Sequence, residues 1–326
     1  MLTNATIRWF ASCLTIHQFR AITSGQADVD LLLQGCPTLR SEKATTETIT
    51  GPGYRGTYVA KFPHSTHVIF YIHGGGFVSG SPESATSYLL QLSIELQERG
   101  VLADIFVVGY DLAPENPYPG ALGQVVSAFG HVQAQRKPMI LSGDSAGGNL
   151  CLGLLRHLVE PHPRIPPSKQ DTENGGEIIG ACLFSPWLNL RNDSESYLRN
   201  ANEDCLDKTA LDRWSEAYLN GEPLDEYSNP VQCSEGWKDI LPQSTLLVSG
   251  DFDSFVTDVE NLASSIKKDG YHNLDTYVAP LKGHVWNLVD FGGTLPGRPS
   301  LERTKERPEA YCGVQLHAKW IADRCA

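Results

Sequence analysis

The chain lacks several things that would define its class at once. No stretch of eighteen uninterrupted apolar residues occurs in its 326 residues, so no membrane span is expected. The N-terminus MLTNATIRWFASCLTIHQFRA has no basic start before a long apolar core, and Arg8, His17 and Arg20 interrupt it. It reads poorly as a secretion signal, and a cytoplasmic protein is the expectation. There is no CxxC pair and no cysteine at zinc-ligand spacing with a histidine, so no metal site is expected. The eight cysteines are scattered along the chain, which suits reduced, mostly buried thiols. Basic residues are also in deficit. A net charge of −12 repels phosphate backbones and argues against a nucleic-acid partner. Neither a Walker motif nor GxGxxG is present, so nothing calls for a nucleotide or other cofactor.

What is present is an alternation of short apolar runs with helical patterns. HVIFYIHGG, DIFVVGYDLAP, PMILSGDSAGG, EIIGACLFSPW, STLLVSG and LDTYVAP read as buried strands. Residues 41–60, with alternating Thr, Ile, Tyr and Val around GPG, read as edge strands and turns. Helical patterns are predicted at 4–20, 85–99, after GDSAG, at 257–269 and in the terminal AYCGVQLHAKWIADRC. Such alternation predicts an α/β fold with a mostly parallel sheet covered on both faces. Two pieces do not fit it: the N-terminal helix, and the polar, helix-patterned residues 190–228 around LDRWSEAYL. The segments PHPRIPPSKQDTENGGE and FGGTLPGRPSLERTKERPE read as surface loops.

GDSAG at 143–147 matches G-x-S-x-G, and it follows a strand and opens an apolar helix. That context makes Ser145 the candidate nucleophile, raised on a tight strand-to-helix turn at a helix N-terminus. His73-Gly74-Gly75-Gly76-Phe77 follows an earlier strand. Main-chain N–H groups from two of Gly74, Gly75 and Gly76, with that of Ala146, are the expected oxyanion donors. His73 is expected to orient this loop. A serine nucleophile needs a histidine base and an acid behind it, in chain order serine, acid, histidine. His284 lies in the loop after the last strand; His272 precedes that strand and His317 sits in the terminal helix. After STLLVSG stand Asp251, Asp253 and Asp258. Spacing alone leaves the acid open among them, and Asp251 or Asp258 could cap the helix instead. Phe77, Trp187, Tyr218 and Trp286 are candidate pocket walls, with core packing as the competing use of the same aromatics.

Taken in order, HGGGF, YDLAPENPYPGAL, GDSAGGNLC, SPW and the late Asp and His loops resemble the hormone-sensitive-lipase branch of the α/β-hydrolases, which includes many microbial and fungal carboxylesterases. The resemblance covers about residues 65–290. It implies one α/β-hydrolase domain over residues 1–326 with a sheet of about eight strands. A cap would come from about 1–45 and 190–228. It also implies ester hydrolysis through an acyl-enzyme without a cofactor. It carries the nucleophile onto Ser145 and the base onto His284. The family acid lies three residues after the small residue ending its strand; Gly250 fills that place, which points to Asp253, with Asp251 in reserve because the aspartate that usually follows comes one residue late, at Asp258. Asp111 stands where the family usually has arginine, so local ion pairing should differ. The expected partner is a small-molecule ester, such as an acetylated secondary metabolite. Two other functions stay open on these residues: a biosynthetic enzyme of the same fold that condenses or cyclises its substrate, and a non-catalytic small-molecule receptor.

Overall fold

The computed structural model describes residues 4–23, 27–167, 175–292 and 308–325. Eight strands form one sheet: β1 Thr45–Gly51, β2 Tyr54–Lys61, β3 His67–Ile72, β4 Ala103–Gly109, β5 Met139–Asp144, β6 Ile178–Phe184, β7 Thr245–Gly250 and β8 Leu274–Ala279. Their spatial order is β1-β2-β4-β3-β5-β6-β7-β8. β1 and β2 make an antiparallel hairpin through Pro52-Gly53, and β2 runs antiparallel to β4. All remaining pairings are parallel. The mostly parallel sheet of the α/β-hydrolase fold is therefore present.

The continuous apolar runs are explained by burial on both faces. Along β3, Val68, Phe70 and Ile72 enter one core and Ile69 and Tyr71 the other. The first core is closed by helices Gly120–Gln133, Ala146–Val159 and Val256–Lys268. The second is closed by helices Thr86–Gln97, Trp286–Phe291 and Pro308–Cys325.

Several elements differ from the sequence reading. The single helix expected at 4–20 is two, Asn4–Cys13 and Ile16–Thr23. Between them Thr15 and Gln18 cap reciprocally: Gln18 N–H donates to Thr15 Oγ1 at 3.3 Å, and Thr15 N–H to Gln18 Oε1 at 3.0 Å. This T-x-x-Q box starts a new helix. Helix Gly120–Gln133, the crossover from β4 to β5, had no counterpart in the reading, because PYPG before it resembles a loop. Segment 190–228 carries helices Glu195–Arg199 and Lys208–Leu219. Arg213 in the latter donates to the carbonyls of Ala11, Ser12 and Leu14, which joins this segment to the N-terminal pair. Of the two expected loops, 168–174 and 293–307 lie outside the described residues. No disulfide joins any of the eight cysteines. Among the described residues, no helix is long and apolar enough to cross a membrane.

Candidate active site

Ser145 follows β5 directly and precedes helix Ala146–Val159. Its backbone sits at φ 52°, ψ −121°, a region that L-residues rarely occupy. The turn is tight because the start of helix Ala146–Val159 abuts the end of β3: a methyl at Gly147 would lie 2.0 Å from the Ile72 carbonyl oxygen. One at Gly143 would lie 2.8 Å from the Gly147 carbonyl. Only glycine allows this approach at either position.

The loops after β7 and β8 meet at this turn. His284 Nε2 stands 2.9 Å from Ser145 Oγ, and His284 Nδ1 stands 3.2 Å from Asp253 Oδ1. Asp253 is fully buried, and its oxygens also accept from Phe255 N–H at 2.9 Å and Ser249 Oγ at 3.2 Å. Asp251 points elsewhere and accepts from the Lys282 N–H at 3.2 Å. Asp258 faces Asn189 and Ser194 instead of the histidine, and burial pushes its carboxyl up to about 6. Of the three aspartates, only Asp253 contacts the imidazole. Burial alone would raise the Asp253 carboxyl, but His284, Ser185 and the Phe255 N–H hold it below the usual range. Burial opposes protonation of His284, yet Asp253, Asp204 and Asp144 outweigh it and lift the imidazole above its ordinary value.

The other histidines serve the scaffold. His317 is buried between Tyr88 and Ser142, and burial holds it down at about 3. His272 is exposed. His73 is buried, held neutral with a value near 4, and stacked on Tyr110 at 4.3 Å. Its Nδ1–H donates to the Gly74 carbonyl at 2.8 Å.

The glycine loop refines the expected donors. The Gly74 N–H points at Asp144 Oδ1, 3.2 Å away, and Asp144 also accepts from the Tyr71 hydroxyl at 2.6 Å. The Gly74 N–H is therefore engaged within the protein, on the buried carboxylate beside Ser145, and this leaves Gly75 and Gly76 as the two candidates of the three. Among the described residues, no hydrogen bond engages the N–H groups of Gly75, Gly76 or Ala146.

The aromatic set divides. Phe77 stacks on Tyr218 at 3.7 Å and lies 5.6 Å from Trp187; all three are at most 1% exposed, so they form a packed floor under the loop. Trp286 is a correction. Its side chain lies in the core on the opposite face of the sheet from Phe77, Trp187 and Tyr218. There Trp286 packs near Tyr277 and against Gly313 of the terminal helix, away from the other three.

Three contributors escaped the sequence reading. The Trp214 ring lies against the loop, 2.5 Å from where a methyl on Gly76 would sit. Phe255 places its ring 4.7 Å from that of His284, nearly perpendicular, and shields it from water. Arg20, from helix Ile16–Thr23, donates to the carbonyls of Val78 at 2.8 Å and Ala113 at 2.6 Å while paired with Glu115. It ties the N-terminal helix to the chain just beyond Phe77. The unusual Asp111 pairs with Arg55 at 3.2 Å on the surface. Only the aromatic and charged character of 190–228 hinted at Trp214; the Arg20 contact spans 58 residues and leaves no local signal.

Comparison with known proteins gives one direction. Residues 69–287 match the family model of the alpha/beta hydrolase fold. An esterase of Acinetobacter venetianus is 34% identical over 157 residues, 47% of this chain and 46% of that protein. The versiconal hemiacetal acetate esterase of Aspergillus parasiticus is 38% identical over 166 residues, 48% of this chain and 47% of that protein. The chain spans about half the length of these relatives. Among solved structures, an esterase of the bacterial hormone-sensitive lipase family superposes with a TM-score of 0.73 at 22% identity, over 99% of this chain and 97% of that one.

Proposed function

The chain belongs to the α/β hydrolase fold family, and on that premise we propose that it is a serine carboxylesterase whose catalytic residues are Ser145, His284 and Asp253. The observation that carries this reading is the run of contacts from Ser145 Oγ to His284 Nε2 at 2.9 Å and from His284 Nδ1 to Asp253 Oδ1 at 3.2 Å.

His284 Nε2 takes the Ser145 proton as Oγ attacks the ester carbonyl carbon. Asp253 stabilises the imidazolium that forms and fixes the tautomer in which Nδ1 carries hydrogen. The N–H groups of Gly75, Gly76 and Ala146 receive the developing oxyanion; each such donor is worth about 3 to 4 kcal/mol of barrier. His284 then gives its proton to the leaving alcohol. Water attacks the acyl-serine with His284 again as base, which releases the acid and restores the hydroxyl. No metal or cofactor takes part in this sequence.

A short acyl group suits the site best. Trp214 presses on Gly76, and the stacked Phe77, Trp187 and Tyr218 fill the space beneath. The likeness to an esterase named for a hemiacetal acetate supports an acetylated secondary metabolite as substrate. Segments 1–45 and 190–228, joined through Arg213, would form the cap over this site.

Incubation with a fluorophosphonate followed by peptide mass analysis tests the reading, together with turnover of p-nitrophenyl acetate, butyrate and decanoate. Label on the Ser145 peptide and turnover of the short esters are expected. Absence of both, or a metabolite product that has lost no acyl group and gained no water, would refute it.

The raised imidazole gives a pH prediction with a definite sign. His284 must be neutral to accept a proton, and its environment favours the protonated form. The acidic limb of kcat/KM should therefore lie above the ordinary histidine value of about 6.5, with activity lost as pH falls through it. A pH–rate profile between 5 and 9 on about a half-unit grid checks this. A limb below 6 contradicts the electrostatic account.

A further inference from the structure

Asp204 belongs to none of the motifs, yet it is fully buried beside the base and the acid. Its Oδ1 accepts the N–H of His284 itself at 2.8 Å and that of Cys205 at 2.7 Å. Its Oδ2 accepts the N–H of Ser254, the residue after Asp253, at 2.7 Å. One carboxylate thus bridges two loops that leave different strands. Four residues earlier, Asn200 donates to the carbonyls of Asp251 at 3.0 Å and Asp253 at 2.8 Å. The turn 200–204 therefore grips the acid loop from two sides. On its outer side, Arg8 of helix Asn4–Cys13 donates to the Asp204 carbonyl at 2.7 Å.

A buried carboxylate is costly unless its oxygens are satisfied. Among the described residues, no ion pair neutralises Asp204, so three main-chain N–H groups hold it. A turn needs no such charge for its own sake. The titratable groups facing it are Asp253, His284 and Cys205, with the Arg8 guanidinium on its carbonyl. Burial and Asp253 push the Asp204 carboxyl above its usual range, while His284 and the N–H groups of His284 and Ser254 favour its charged form. When ionised it is a second negative charge beside His284 and favours the imidazolium that arises in the transition state.

We infer that Asp204 is a positioning residue: its carboxylate ties the main chain after Asp253 to the main chain of His284, which sets their side-chain contact and adds a negative charge beside the imidazole. The inference rests on the esterase reading above. Asp204→Asn keeps the volume but replaces one acceptor oxygen with a donor facing an N–H. Its kcat per fluorophosphonate-titrated site should fall about tenfold to a hundredfold, as for a small misplacement of reacting groups. KM should stay within about twofold, because the ester itself is not touched. The acidic limb should move to lower pH, since the imidazolium loses a stabilising charge. Asp204→Glu should restore the limb without full kcat.

A merely structural role would lower the melting temperature or the titratable fraction and leave kcat per site and the limb at parental values; that result overturns the inference. If Asp204→Asn yields no folded protein, Arg8→Met loosens the same turn from outside. It should lower kcat per site about threefold at constant KM, and parental values would again overturn the inference. A wild-type chain inert to both ester and probe sinks the esterase reading and this inference together. An active wild type with an unaffected variant sinks the inference alone.

Discussion

Ser145→Ala is expected to lower kcat on p-nitrophenyl butyrate about a hundred-thousandfold to a millionfold, the loss typical of removing a serine nucleophile. The fold should survive, because alanine keeps the Cβ and removes only an oxygen that Ser145 shares with His284. What turnover remains would come from the N–H groups of Gly75, Gly76 and Ala146 and from substrate binding. Stopped assays over hours with purified protein, with circular dichroism as the folding control, measure it. Turnover within about tenfold of the parent would mean that another group attacks the ester.

The second large effect separates two aspartates that spacing left unresolved. Asp253→Asn should cost about ten-thousandfold in kcat. The asparagine amide can donate to Nδ1, which selects the tautomer with hydrogen on Nε2, and that nitrogen then cannot accept the serine proton. Asp251→Asn should change kcat by less than about threefold, because among the described residues the Asp251 carboxylate accepts from the Lys282 N–H and not from His284. Titrating the active sites with fluorophosphonate first keeps misfolding out of both numbers. Equal losses in the two variants would contradict the assignment of the acid.

The site residues that the sequence singles out share a property: each sits in a motif whose chemistry is local. The strained turn at Ser145 needs glycines two residues to either side, and the donor loop needs a glycine run after a strand. The strand runs were visible because parallel strands are buried on both faces. What stayed hidden depends on contacts distant in sequence. Asp204 meets His284 across 80 residues and is one aspartate in a polar stretch. Gly74 looked identical to its two neighbours until Asp144 was found to take its hydrogen. Trp286 follows His284 by two residues, yet its side chain lies in the core on the other face of the sheet, a placement with no local signal in the sequence. The break near residue 15 was legible in principle, as threonine and glutamine at capping distance, but apolar periodicity ran across it.

The backbone at Ser145 has a consequence for how this protein would change under selection. At φ 52° a side chain costs about 1 to 3 kcal/mol of conformational energy, which glycine does not incur. Replacing alanine by glycine ordinarily costs stability, through about 0.4 to 1 kcal/mol of added freedom in the unfolded chain. At this position the order should invert, and Ser145→Gly should melt above Ser145→Ala in a thermal scan, whereas a lower melting point would show the bend to be unstrained. Survival at high temperature, imposed without any demand for turnover, would therefore drift toward glycine at 145. Serine endures there only while its chemistry is being used.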